Sequence, residues 1–160
     1  MSDAGNEYER HQIESLLQSH TAAISRGVGL FLAPVSDLFY DVHVGAVLPA
    51  MQSSGLNKTE MIRVFGSESF LAEVCDWVLS AELIVVDVTQ SNADLMYVLG
   101  LCHGLRRCPI LIATEATELP FNLDALRCIR FVPSKEGIFT LRESLERAIR
   151  VHLAATRPKG

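Results

Sequence analysis

The sequence predicts a single α/β domain: a doubly wound, five-stranded parallel sheet in the order 2-1-3-4-5, preceded by an extra N-terminal helix. Three observations carry that reading. Val28–Val35 (VGLFLAPV) and Leu83–Val88 (LIVVDV) are continuous apolar runs rather than alternating ones, the pattern of strands covered on both faces. Helical periodicity separates each run from the next, which is the alternation of βαβ units with right-handed crossovers. Finally, 160 residues with 49% hydrophobic content suffice to bury one core, and no repeat or low-complexity linker divides them.

The elements follow in order. Ile13, Leu16, Leu17, Ala23 and Ile24 recur at helical spacing among charges, and Gly27 reads as a stop signal, so Glu7–Ser25 is expected to be an amphipathic helix lying over the sheet. Val28–Val35 is β1. Asp37–Ser53 is expected to be a helix burying Leu38, Val42, Val47, Leu48 and Met51, with Gly55 at its end. Met61–Phe65 (MIRVF) supplies a short β2, and the turn Gly66–Ser69 opens a helix carrying Phe70, Leu71, Val74, Trp77, Val78 and Leu79, with Trp77 at a core position. Leu83–Val88 is β3, rich in β-branched residues and carrying one acid, Asp87. Asn92 can cap a helix over Ala93–Leu105, the basic turn Arg106-Arg107 leads to β4 at Pro109–Ala113, and Cys128–Val132 is β5. Ser134 can cap the last helix, whose stripe is Ile138, Leu141, Leu145, Ala148 and Leu153. The expected organisation is thus residues 1–26 as the N-terminal helical unit, 27–155 as the α/β domain and 156–160 as a fraying tail.

Bulk chemistry narrows the function. The net charge of −5, with basic residues scattered apart from Arg106-Arg107, argues against a nucleic-acid backbone as partner. No basic segment followed by an apolar one opens the sequence, and no apolar run approaches the ~18 residues that cross a bilayer, so no membrane partner is expected. Cys75, Cys102, Cys108 and Cys128 lie in apolar stretches without a C-x-x-C pair, the usage of a reduced, cytoplasmic protein. His11, His20, His43, His103 and His152 form no cluster with zinc-site spacing, so no metal is expected. The turn after β1 has neither G-x-G-x-x-G nor a P-loop, no cofactor is expected, and no G-x-S-x-G elbow surrounds Ser67 or Ser69. His103, set among apolar helix residues, reads as a hydrogen-bonded core histidine, and Glu115 and Glu118 as a loop rim.

A sheet of this order reverses between β1 and β3 and leaves a crevice beyond their C-terminal ends. Polar residues gather there: Ser36, Asp37, Tyr40 and Asp41 after β1, and Asp87, Thr89, Gln90, Ser91 and Asn92 around the end of β3. The exposed N–H groups of the following helix favour an oxygen-rich ligand at that point. Ser36, Asp37, Tyr40, Asp87, Thr89 and Asn92 are the expected ligand contacts; alternatively Asn92 serves only as a cap and Asp87 only as a turn residue.

The segments Phe31–Pro49 (FLAPVSDLFYDVHVGAVLP) and Phe65–Phe131, with Asp87, Thr89, Asn92, Tyr97, Gly100, His103 and Leu119-Pro120-Phe121, resemble the nucleoside 2-deoxyribosyltransferase-like domains, relatives of TIR-type domains. The resemblance implies a flavodoxin-like fold, a pocket for a nucleoside or nucleotide and frequently a dimer. It also implies that a transferase would carry a glutamate nucleophile two residues before the helix glycine. That position is Val98, which can neither form a glycosyl ester nor stabilise an oxocarbenium-like centre. The sequence therefore points first to a non-catalytic nucleoside- or nucleotide-sensing domain. One alternative is an N-glycosidase or transferase with a relocated carboxylate, for which Asp94, one helical turn before Val98, is the candidate, although an acid in a first turn also suits the helix dipole. The other is a TIR-like protein-interaction module.

Overall fold

The computed structural model describes residues 23–157 apart from 35, 64–67, 91, 121–122 and 124–127. Its strands are β1 (Ser25–Ala33), β2 (Lys58–Arg63), β3 (Ala81–Asp87), β4 (Ile110–Thr114) and β5 (Cys128–Phe131). All pair in parallel in the order β2-β1-β3-β4-β5, the order expected from the sequence. Helix α1 opens as α-helix at Phe39–Val42, widens to π geometry over His43–Val47 and closes as α-helix over Leu48–Ser53. It is followed by α2 (Glu68–Ser80), α3 (Ala93–Gly104) and α4 (Lys135–Thr156).

The strands read as continuous apolar runs because alternate residues enter two different cores. Leu30, Leu32, Ile84, Val86, Leu111 and Ala113 face Val74 and Val78 of α2 and Leu95, Val98, Leu99 and Cys102 of α3. Phe31, Ala33, Leu83, Val85, Ile112 and Phe131 face the opposite way, onto Val42, Ala46, Val47, Ala50 and Met51 of α1 and Leu141, Leu145, Ile149 and Leu153 of α4. Each fully buried leucine or valine stabilises the fold by about 1.5–3 kcal/mol, so both layers are needed to hold the sheet. Two glycines let the second layer close. A Cβ on Gly29 would lie 2.7 Å from the Met51 sulfur, and one on Gly45 would lie 2.7 Å from Cγ2 of Ile138.

Caps fix where the helices start. Asn92 Oδ1 accepts from the backbone N–H of Leu95 at 2.7 Å, and Ser134 Oγ accepts from that of Gly137 at 3.0 Å, as their residue types predict. The end of α3 is less ordinary. Arg107 N–H donates to the Cys102 carbonyl at 2.8 Å and Arg106 N–H to the His103 carbonyl at 3.0 Å, a Schellman closure with Arg106 at φ +56°, where glycine is usual.

Several expectations need correction. The predicted N-terminal helix lies outside the described residues as far as residue 22, and Ser25, assigned to its end, already belongs to β1. Gly27 is not a helix stop; it sits inside β1 at φ +79°, near a shift in the β1–β3 register between Ser25 and Gly29. Strand β2 starts at Lys58, earlier than Met61, because an edge strand tolerates the polar residues Lys58, Thr59 and Glu60. On α4 the buried stripe runs through Ile149, with Ala148 only half-buried. Trp77 is half-buried, with the Lys58 ammonium 5.2 Å from its ring centroid. His103 is exposed, not core, and Cys108 is exposed while Cys75 and Cys102 are buried. Among the described residues no helix is long and apolar enough to cross a membrane.

Candidate functional site

Strand β3 ends in Asp87, which is 2% exposed. As the chain leaves the sheet it turns back on that side chain: the Thr89 N–H donates to Asp87 Oδ1 at 2.9 Å, and the Thr89 side chain also favours the charged carboxylate. Thr89 Oγ1 in turn accepts from the backbone N–H of Thr114 at 3.2 Å, and Thr117 Oγ1 donates to the Thr89 carbonyl at 3.2 Å. The hydroxyls of Thr114 and Thr117 are 2.8 Å apart. Arg130, from β5, donates Nη1 to the carbonyls of Thr114 at 3.2 Å and Thr117 at 2.7 Å. The C-terminal ends of β3, β4 and β5 are thus laced together by one polar network that ends on Asp87.

The electrostatics of Asp87 are those of an acceptor in a dry place. Burial pushes its carboxyl above the ordinary value, and Thr89 offsets only part of that shift. Among the described residues no ion pair involves it. A sugar hydroxyl or a base N–H is the kind of neutral donor such a carboxylate takes without needing a counter-charge.

The other expected contacts are placed less uniformly. Ser36 is half-buried, its carbonyl accepting from Phe39 N–H at 3.2 Å, while Asp37 beside it is exposed. Asn92 spends its side-chain oxygen on the cap of α3 and is otherwise exposed. Asp94 is exposed in the first turn of α3. Val98 is 2% exposed and belongs to the core beneath that helix. Tyr40, 69% exposed, lines a groove of about 660 Å³ between α1 and the start of α4, with Asp41, Ser134, Lys135, Phe139 and Arg142. Beside that groove, inside α1, His43 lies 5.6 Å from Phe31 and 6.0 Å from Phe39, ring centre to ring centre, with near-parallel planes. Its Nδ1 is buried with no hydrogen-bond partner among the described residues, and burial lowers its imidazole pKa.

Sequence reading missed a cluster at the other end of the sheet. Glu82, the second residue of β3, is buried and accepts from the Gly27 N–H at 2.6 Å. It also takes both Nε (2.6 Å) and Nη2 (3.0 Å) of Arg157. With Arg26, Arg106, Arg107 and His152 these two residues line a cavity of about 400 Å³. No local signal marks it: a glutamate at the start of a buried strand can as well meet solvent at the end of the sheet, and its partners lie 55 and 75 residues away. Among the described residues, no three His, Cys, Asp or Glu side chains gather as a metal site.

Sheet order and helical layers make this a flavodoxin-like α/β protein, with a polar network at the C-terminal ends of its central strands. A scan against protein-family models gives no match, and neither does a search of curated proteins.

Proposed function

We propose that this chain is a non-catalytic nucleoside- or nucleotide-binding domain that meets its ligand beyond the C-terminal ends of β1 and β3. The observation that carries the reading is Asp87: a buried carboxylate with a raised pKa and no cation beside it among the described residues, at the position where doubly wound sheets hold their ligands. A carboxylate kept at such a cost to the fold is better explained by a ligand donor than by a turn that asparagine would serve. In support stands the capped N-terminus of α3, whose dipole suits a phosphate or ribose oxygen. The resemblance to nucleoside 2-deoxyribosyltransferase-like domains supplies the ligand class and the expectation of a cytoplasmic homodimer. Val98, sunk in the core where a glutamate nucleophile would be required, removes the covalent route. Asp94, exposed in a first turn, is accounted for by the helix dipole.

Calorimetric titration of the full chain with nucleosides, nucleotides and sugar phosphates tests this. The expected result is saturable binding with no release of free base, weakened about tenfold or more by Asp87→Asn, since a hydrogen bond to a charged group is worth about 1.5–3 kcal/mol. Absence of binding by the folded protein, or turnover of any nucleoside, overturns it.

A further inference from the structure

We propose a second ligand site at the opposite pole of the sheet: the cavity at the N-terminal ends of β1 and β3 binds a small phosphomonoester through Arg26, Arg106 and Arg107. The inference is independent of the reading of Asp87, because the residues involved sit at the other end of the strands.

Four arginines converge on this one cavity of about 400 Å³ in a chain whose net charge is −5. Among the described residues that line it there is one carboxylate, Glu82, and it is already committed to Arg157 and to the Gly27 N–H. That pairing neutralises Arg157 and leaves three guanidiniums. Arg26 and Arg106 are exposed, and among the described residues neither side chain makes a hydrogen bond or a close ion pair, although the Arg26 charge also acts on Glu82. Arg107 is half-buried and donates Nη2 to the Ala81 carbonyl, a bond that orients its head without cancelling its charge. Burial first, and then the neighbouring Arg107, push His152 below the ordinary imidazole value, while Glu82 acts in the opposite direction.

Backbone strain gives a second, separate pointer. Arg106 holds φ +56° in the closure of α3, a left-handed conformation in which an L side chain is disfavoured and glycine is at ease. An arginine in such a place calls for an account of what its side chain does. Guanidinium is the side chain suited to paired hydrogen bonds with phosphate oxygens. Ile24 and Ile84 add apolar lining, and a cavity of about 400 Å³ is within the range of small-molecule sites, so an organic phosphate fits better than a bare ion.

The test is titration of the full chain with ribose 5-phosphate, against ribose and citrate at matched ionic strength, followed by calorimetry and by thermal unfolding. Ribose 5-phosphate is expected to saturate while ribose and citrate do not. Arg106→Gly is expected to weaken binding about tenfold or more and at the same time to raise the Tm by about 2–4 °C, because the left-handed strain is relieved. Arg26→Gln, an exposed change that leaves the fold alone, is expected to weaken binding to a similar degree. No saturation by ribose 5-phosphate, equal binding of citrate, or an affinity unchanged in both Arg106→Gly and Arg26→Gln would overturn the site.

Discussion

Strand β3 carries two buried carboxylates, and they live under opposite rules. Glu82 and Asp87 stand about 16 Å apart along one strand, 7% and 2% exposed. Glu82 is held below its ordinary pKa, chiefly by the Arg157 guanidinium and further by the Gly27 N–H, which together outweigh its desolvation. Among the described residues Asp87 has only Thr89, and burial wins, so its pKa is raised. The linkage signs therefore differ. Glu82 contributes stability that is present above its unfolded pKa and lost as the pH falls through its depressed folded value. Asp87 is most favourable when protonated, and its contribution is lost as the pH rises through its elevated folded value. The lesson is that burial alone says little about a carboxylate; a structural one is recognised by its partners, and Asp87, with no cation beside it among the described residues, is set apart from it.

The sharpest way to extend this comparison is to place a third carboxylate where neither kind of partner exists. Val98→Glu puts an acid into the core among Leu95, Leu99 and Cys102 and is expected to cost about 3–5 kcal/mol in urea unfolding at neutral pH, with much of the loss recovered in acid. A cost below about 1 kcal/mol would mean that position 98 reaches solvent or a polar site after all. Glu82→Gln comes next. It keeps an acceptor for Gly27 but loses the charge facing Arg157, whose side chain is 40% exposed, so screening limits the expected loss to about 1–2 kcal/mol. That loss should shrink as the pH is lowered through the folded pKa of Glu82. Smallest, and opposite in sign, is Asp87→Asn: at pH 7 it should leave the fold as stable or more stable by about 0.5–1 kcal/mol, a gain that disappears in acid. Destabilisation by more than about 1 kcal/mol would erase the contrast between the two carboxylates.

Much of this architecture was legible from residue order. The apolar runs of β1 and β3 and the caps Asn92 and Ser134 report local physics that tertiary structure did not override, and they suffice for the strand order. Asp87 and Thr89 were each legible as polar residues at the end of a buried strand, but the hydrogen bond between them was not. Tyr40 was not separable from them by sequence: it follows β1, as Ser36 and Asp37 do, yet it lines the groove beside α4. Glu82 escaped notice because its partners, Gly27 and Arg157, are remote in sequence, and no local pattern announces a contact across 75 residues. The π segment escaped because Val42, Ala46, Ala50 and Met51 are spaced as an ordinary helix would space them.

That widened turn in α1 bears on which length changes the chain can tolerate. A π segment accommodates one surplus residue, and each residue of a regular helix accounts for about 100° of rotation. Deleting Gly45 would let the helix relax to uniform winding with its two halves still in phase, whereas inserting a further residue would exceed what one widened turn absorbs and swing the halves against each other by that angle. Either His43 would then leave the company of Phe31 and Phe39, or Met51 would leave the notch over Gly29. Among natural variants, a single-residue gap within residues 43–47 should therefore be better tolerated than a single-residue insertion there.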